Sequence, residues 1–337
     1  MVRSVDLKAQ TLTNYLSAAH AFLQVALTRS VNIYDTQSLA RQPRYHPFLG
    51  QQLAERRKWA KPAAKKEPFT TDMFQWLHDI LVSDSTQTGN FFGRQFCVYD
   101  WMRLGLFTGF RISEYGQSRL TAGQRFQIIP DSSDVPPSYR MTPLAFVRGD
   151  FIFFDQASHI IDHASLAHRH ALDEVQTLEI TWRYDKSAHN FTKRRFMLNQ
   201  HPIFDPVDAG VSIIHRANLM GVPFDEPIGV WSPSVTIPFQ YRFIRDSDVS
   251  RIMRDACMHA YPDPAHYMRQ HIQQIVPHSN RVTAAVCLKN GGANNDEIAF
   301  KLRWHPTSVP TYLRDCFQAV GTAMEQTIQG AFSMTFS

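Results

Sequence analysis

The chain has 337 residues, 44% hydrophobic and 19% charged, which suits one large or two ordinary globular domains and excludes wholesale disorder. A net charge of +5 and a pI near 9.0 favour a polyanionic partner without demanding one. Cys97, Cys257, Cys287 and Cys316 show no CxxC spacing. That excludes an ordinary zinc finger and a disulfide framework, and points to a reducing compartment.

No apolar run approaches the ~18 residues needed to span a bilayer, so the expectation is a soluble, intracellular protein with no membrane partner. Along the chain, apolar residues at 12, 15, 16, 19, 22 and 23 fall at helical spacing, and a second helix is expected from Gly50 to Trp59. The basic stretch Arg56, Arg57, Lys58, Lys61, Lys65 and Lys66 follows, interrupted by proline and alanine and carrying no acid. It reads as an exposed linker that can also track DNA phosphates.

A helix begins at Thr70-Thr71-Asp72 and runs through Leu81. A longer one covers about Gly93 to Thr108 and ends at Gly109, a residue suited to a left-handed cap. Its aromatic residues read as core packing. Residues 145–155 and 177–184 are rich in β-branched and aromatic residues and read as strands. A loop from Asp185 to Thr192 and the run Lys193 to Leu198 complete a hairpin. From Asp205 the pattern is again helical, with a loop-rich interval around 222–240. The class is α+β, mainly helical with one small antiparallel sheet. It divides into a short helical region at 1–66 and a larger domain at 67–337.

Several residues carry chemistry. Arg111 follows Thr108-Gly109-Phe110 and opens Arg111-Ile112-Ser113-Glu114. Far downstream come His278-Ser279-Asn280-Arg281, then Arg303-Trp304-His305, then Tyr312. An arginine fork matches two phosphate oxygens and stays charged at any working pH. A tyrosine hydroxyl serves as a covalent nucleophile once activated. His278 and Arg281, three apart, share one side of a helix. The cluster His163, His168, His170 and Asp173 has metal-ligand residue types, but reads as ordinary loop histidines, and no metal is assigned.

This order and wording resemble the tyrosine recombinases, the integrase-like enzymes that cut and rejoin DNA. They are closest to the crypton-type recombinases of eukaryotic mobile elements. The resemblance implies a recombinase catalytic domain at 67–337, preceded by a short, partial core-binding region. It also implies catalytic roles for Arg111, His278, Arg281 and Tyr312, and a supporting role for Glu114. Trp304 or His305 fills the third-box position, with the spacing to Tyr312 one residue shorter than the family's usual. A lysine on the hairpin protonates the leaving oxygen. Lys186 resembles it most, with Lys193 as competitor; Lys193 and Arg194 otherwise suit backbone phosphate. The implied reaction is site-specific strand cleavage and rejoining through a 3′-phosphotyrosine, without metal or cofactor. It works on double-stranded DNA as a tetramer. A type IB topoisomerase activity, or a domesticated DNA-binding protein without activity, is the alternative. The implied compartment is the nucleus if the eukaryotic resemblance holds, and otherwise the cytoplasm or nucleoid.

Overall fold

The computed structural model describes residues 16, 66–84, 91–116, 145–167, 173–183, 191–234 and 240–313. The chain divides into two compact units, residues 1–64 and 65–337, and the architecture below is that of the second. The helices expected at 11–23 and 50–59, and the basic positions 56, 57, 58, 61 and 65, lie outside the described residues apart from helical Leu16. Among the described residues no helix is long and apolar enough to cross a membrane.

Helix α1 (Thr71–Asp84) buries Met73, Phe74, Leu77 and Leu81 on one side and exposes Gln75 and Asp79 on the other. This is the spacing of a surface helix. Helix α2 (Arg94–Thr108) differs, because residues 97–105 are buried without a break. It runs through the middle of the unit, between α4 (Pro206–Leu219) and α7 (Ser279–Asn290). Gly109 ends it at φ 61°, its N–H reaching the Gly105 carbonyl at 2.8 Å. That left-handed cap is the one expected from the sequence.

A helix buried all round must satisfy its own polar side chains. Asp100, fully buried, accepts from Arg216 of α4 at 2.5 Å and from Arg103 at 3.2 Å. Arg103 also reaches Asp208 of α4 at 2.6 Å and the Ile203 carbonyl at 2.7 Å. Arg216 donates to the Phe91 carbonyl at 2.8 Å. Two carboxylates and two guanidiniums thus tie α2 to α4.

The four-stranded antiparallel sheet has the order β2-β1-β3-β4, with β1 at Phe151–Phe154, β2 at Ile160–Ile161, β3 at Thr177–Trp182 and β4 at Thr192–Met197. The hairpin β3–β4 pairs Trp182 with Thr192 and Thr177 with Met197, close to the expected strand limits. The strand expected at 145–155 is shorter. Residues Arg148–Asp150 form a 3-10 turn, because the Asp150 carboxylate accepts the Val147 N–H at 2.8 Å and pairs with buried Arg183 at 2.6 Å. In the loop-rich interval, β5 (Val230–Trp231) pairs with β6 (Arg242–Phe243), just beyond it, as a two-stranded ribbon.

Two remaining features position the site. Trp101 of α2 stacks on Tyr115 with ring centroids 4.9 Å apart, and Phe110, Phe146 and Trp182 pack around them. These aromatics form a floor under residues 110–115. The second feature is the approach of α7 to α2. Asn280 donates to the Met102 carbonyl at 3.0 Å, and a Cβ on Gly105 would lie 2.4 Å from the same side-chain nitrogen. Glycine at 105 lets the two helices meet.

Candidate active site

Arg111 stands just past the Gly109 cap, at the entrance to α3 (Ile112–Tyr115). Glu114 orients it twice, accepting its backbone N–H at 2.9 Å and its guanidinium at 3.1 Å. The arginine side chain stays partly exposed while Glu114 is buried. This is the arrangement of an acid that aims an arginine.

His278 and Arg281 come from the start of α7. Thr283, one turn further on, bonds both the N–H of Phe69 at 2.7 Å and its carbonyl at 3.0 Å, anchoring the segment that carries Lys66. Arg281 is buried, donates to the Gly109 carbonyl, and lies over the Trp304 indole with 4.9 Å between guanidinium carbon and ring centroid. A cation over an indole face is held by the ring quadrupole. The first and second motifs, 172 residues apart in sequence, thus meet at the Gly109 carbonyl.

The His278 imidazole is pushed down to about 4, first by burial and then by the charges of Arg281, Lys66 and Arg111. It is therefore neutral at pH 7. Three cations gathered around one uncharged imidazole make a strong field for an anion. Lys66, read from the sequence as the end of a linker, contributes to this field.

Trp304 and His305 have different surroundings. Trp304 is buried against Arg281 in a small core of Ala284, Ala285, Ile298, Ala299, Leu302 and Val309. His305 is exposed, and its ring caps the turn Pro306–Ser308 by accepting the Thr307 backbone N–H at 3.4 Å, with the Thr307 hydroxyl 2.8 Å from the same nitrogen. The geometry therefore sets Trp304 in the arginine cluster and gives His305 a local capping role. Tyr312 belongs to helix α9 (Val309–Leu313), which packs on α7 and on α8 (Asn295–Leu302). Its hydroxyl falls outside the described side chains.

Lys186 lies outside the described residues, in the connection that follows Trp182 and Arg183. Lys193 and Arg194 point to opposite sides of β4. Lys193 is exposed and pairs with Glu179 at 3.1 Å, whereas Arg194 lies over the Phe300 ring at 4.2 Å and is close enough to Arg303 to feel its charge. His163 bonds the Phe151 carbonyl at 2.5 Å, and burial lowers its pKa. His168 and His170 are outside the described residues. Among the described residues no cluster of His, Cys, Asp or Glu has the grouping to hold a metal.

Sequence reasoning passed over one residue. Arg303 is buried, lies over the Trp182 ring at 4.2 Å, and pairs with Glu114 at 3.1 Å. It does so at φ 57°, ψ 43°, as the left-handed C-cap of α8. The available signal was a bulky residue at a helix end where glycine is the usual choice. Searches against protein-family models and against curated proteins find no match for the chain.

Proposed function

We propose that the chain is a tyrosine recombinase that cleaves and rejoins double-stranded DNA at specific sites, serving integration or excision of a mobile element. The observation that carries this reading is the convergence of Arg111, His278, Arg281 and Trp304, drawn from three distant stretches, into one cation-rich cluster around a neutral imidazole. A scissile phosphate needs such a field. Two guanidiniums neutralise its non-bridging oxygens as charge develops, in the manner of a preorganised oxyanion site.

In this reading the Tyr312 oxygen attacks phosphorus, and a 3′-phosphotyrosine bond forms as the bond to the 5′-oxygen breaks. Lys186 supplies the proton to that oxygen. His278 has an unprotonated nitrogen at pH 7 and accepts a hydrogen bond or the tyrosine proton, and an adjacent phosphate raises its basicity. The ester keeps the bond energy, so rejoining is the reverse step. Exchange between two duplexes uses a tetramer, and the compartment is that of the DNA, the nucleus for a eukaryotic element.

The test is covalent trapping on nicked suicide duplexes carrying repeats that flank the coding region. The wild type should form a protease-sensitive covalent adduct, and Tyr312→Phe should form none while binding the duplex about equally well. Absence of any wild-type adduct, or an adduct on another tyrosine, overturns the reading. An adduct followed by relaxation of supercoils without strand exchange would mark a topoisomerase instead.

A further inference from the structure

Glu114 is shared. Its Oε1 accepts from the Arg111 guanidinium at 3.1 Å and its Oε2 from the Arg303 guanidinium at 3.1 Å, while the Arg111 backbone N–H also reaches Oε2 at 2.9 Å. The carboxylate is buried and Arg303 more deeply so, whereas Arg111 retains partial exposure. One arginine of the pair is thus partly exposed and the other is enclosed.

Arg303 holds its place at a conformational cost. It caps α8 in the left-handed region at φ 57°, its N–H bonded to the carbonyls of Ala299 and Phe300. Glycine is the residue that takes this conformation without strain, and a side chain persists there when its surroundings hold it. Here those surroundings are the Glu114 carboxylate and the Trp182 ring, 4.2 Å from the guanidinium carbon. Its neighbours in sequence belong to the same assembly. Leu302 packs against Gly109, where an added Cβ would come within 3.1 Å, and Trp304 lies under Arg281.

We infer that Arg303 is a positioning residue. It fixes the Glu114 carboxylate from behind, so that Arg111 is held beside the cation cluster at His278, and it ties that aim to the end of β3 and to the Trp304–Arg281 stack. This rests on the proposed function only for its catalytic consequence, because the brace itself is a statement about three side chains. Arg303 is too enclosed to touch DNA, so its loss acts through Arg111.

Arg303→Gly tests this well, because glycine suits the backbone and the helix cap is kept. Two measurements are made on the full chain. The first is a double-mutant cycle of Arg303→Gly with Arg111→Gln by chemical denaturation. With either arginine present the buried carboxylate keeps a charged partner; with neither it keeps only the backbone N–H of residue 111. The double variant should therefore lose about tenfold more in its unfolding constant than the single losses predict, a coupling within the usual range for a shared network. The coupling should vanish when Glu114→Gln is the background. Additive losses overturn the brace.

The second measurement is single-turnover cleavage of the suicide duplex. Arg303→Gly should slow cleavage by roughly a hundredfold, as expected of a misaimed group, with duplex affinity and its salt dependence within about twofold of wild type. Arg303→Lys should restore part of the rate, since it keeps the charge but not the fork. Unchanged cleavage, or an affinity loss matching the rate loss, counts against a positioning role. If the wild type forms no adduct at all, the recombinase reading falls, and the denaturation cycle still decides the brace.

Discussion

At the candidate site the fold changes the chemistry of His278. Burial and the neighbouring charges of Arg281, Lys66 and Arg111 lower its pKa from 6.5 to about 4. An unfolded chain therefore binds a proton between those values that the folded chain refuses. Stability from this group is fully present above pH 6.5 and is lost as pH falls toward 4, by about 3 kcal/mol at most. Urea denaturation at pH 7 and pH 4.5 should show this loss in the wild type and lack it in His278→Gln. An equal pH dependence in both proteins would contradict the assigned cause. Adding a phosphodiester anion should move the imidazole titration upward in NMR, since a negative charge beside the ring stabilises its protonated form. At this scale the sequence was a partial guide. It singled out His278 and Arg281 by their spacing, but nothing in the order of letters placed Lys66 beside them or made Arg303 the partner of Glu114.

Among elements, α2 determines how the unit is assembled. Its burial on every side demands the Asp100–Arg216–Arg103–Asp208 network, and its close approach to α7 depends on Gly105. Removing the central charge tests the first of these. Asp100→Asn keeps the shape but leaves two buried guanidiniums short of an anion, and should cost about 3–5 kcal/mol. A denaturation midpoint that barely moves would mean the arginines find other partners. The helix itself was readable from the sequence, down to the Gly109 cap, because capping depends on a single residue's backbone freedom. The 3-10 turn at Arg148–Asp150 was not. It exists because Asp150 bonds Val147 and Arg183, and Arg183 is 33 residues away.

For the whole molecule, the proposed function makes the net charge of +5 and the basic run at 56–66 a matter of DNA affinity more than of fold. Replacing Arg56, Arg57, Lys58, Lys61 and Lys65 by neutral residues should weaken duplex binding similarly on target and random DNA. It should also reduce the salt slope by about 0.9 for each phosphate that is no longer neutralised. Titrations at several salt concentrations measure this, and an unchanged slope would leave the run as a tether alone. Lys66 is excluded from the set because its charge acts at His278.

Residue types, local spacing and chain punctuation were enough for the α+β class, the helix from 94 to 108 and the β3–β4 hairpin. Each of these depends on interactions within a few residues, so periodicity and capping rules reach them. What required the folded chain was the meeting of segments. The Gly109 carbonyl joins residue 281 to the first motif, Glu114 joins 111 to 303, and Trp304 rather than His305 lies against Arg281. Adjacent residues on a turn face different surroundings, and only packing decides which of them is buried. The field that keeps His278 neutral is likewise a sum over charges brought close by folding.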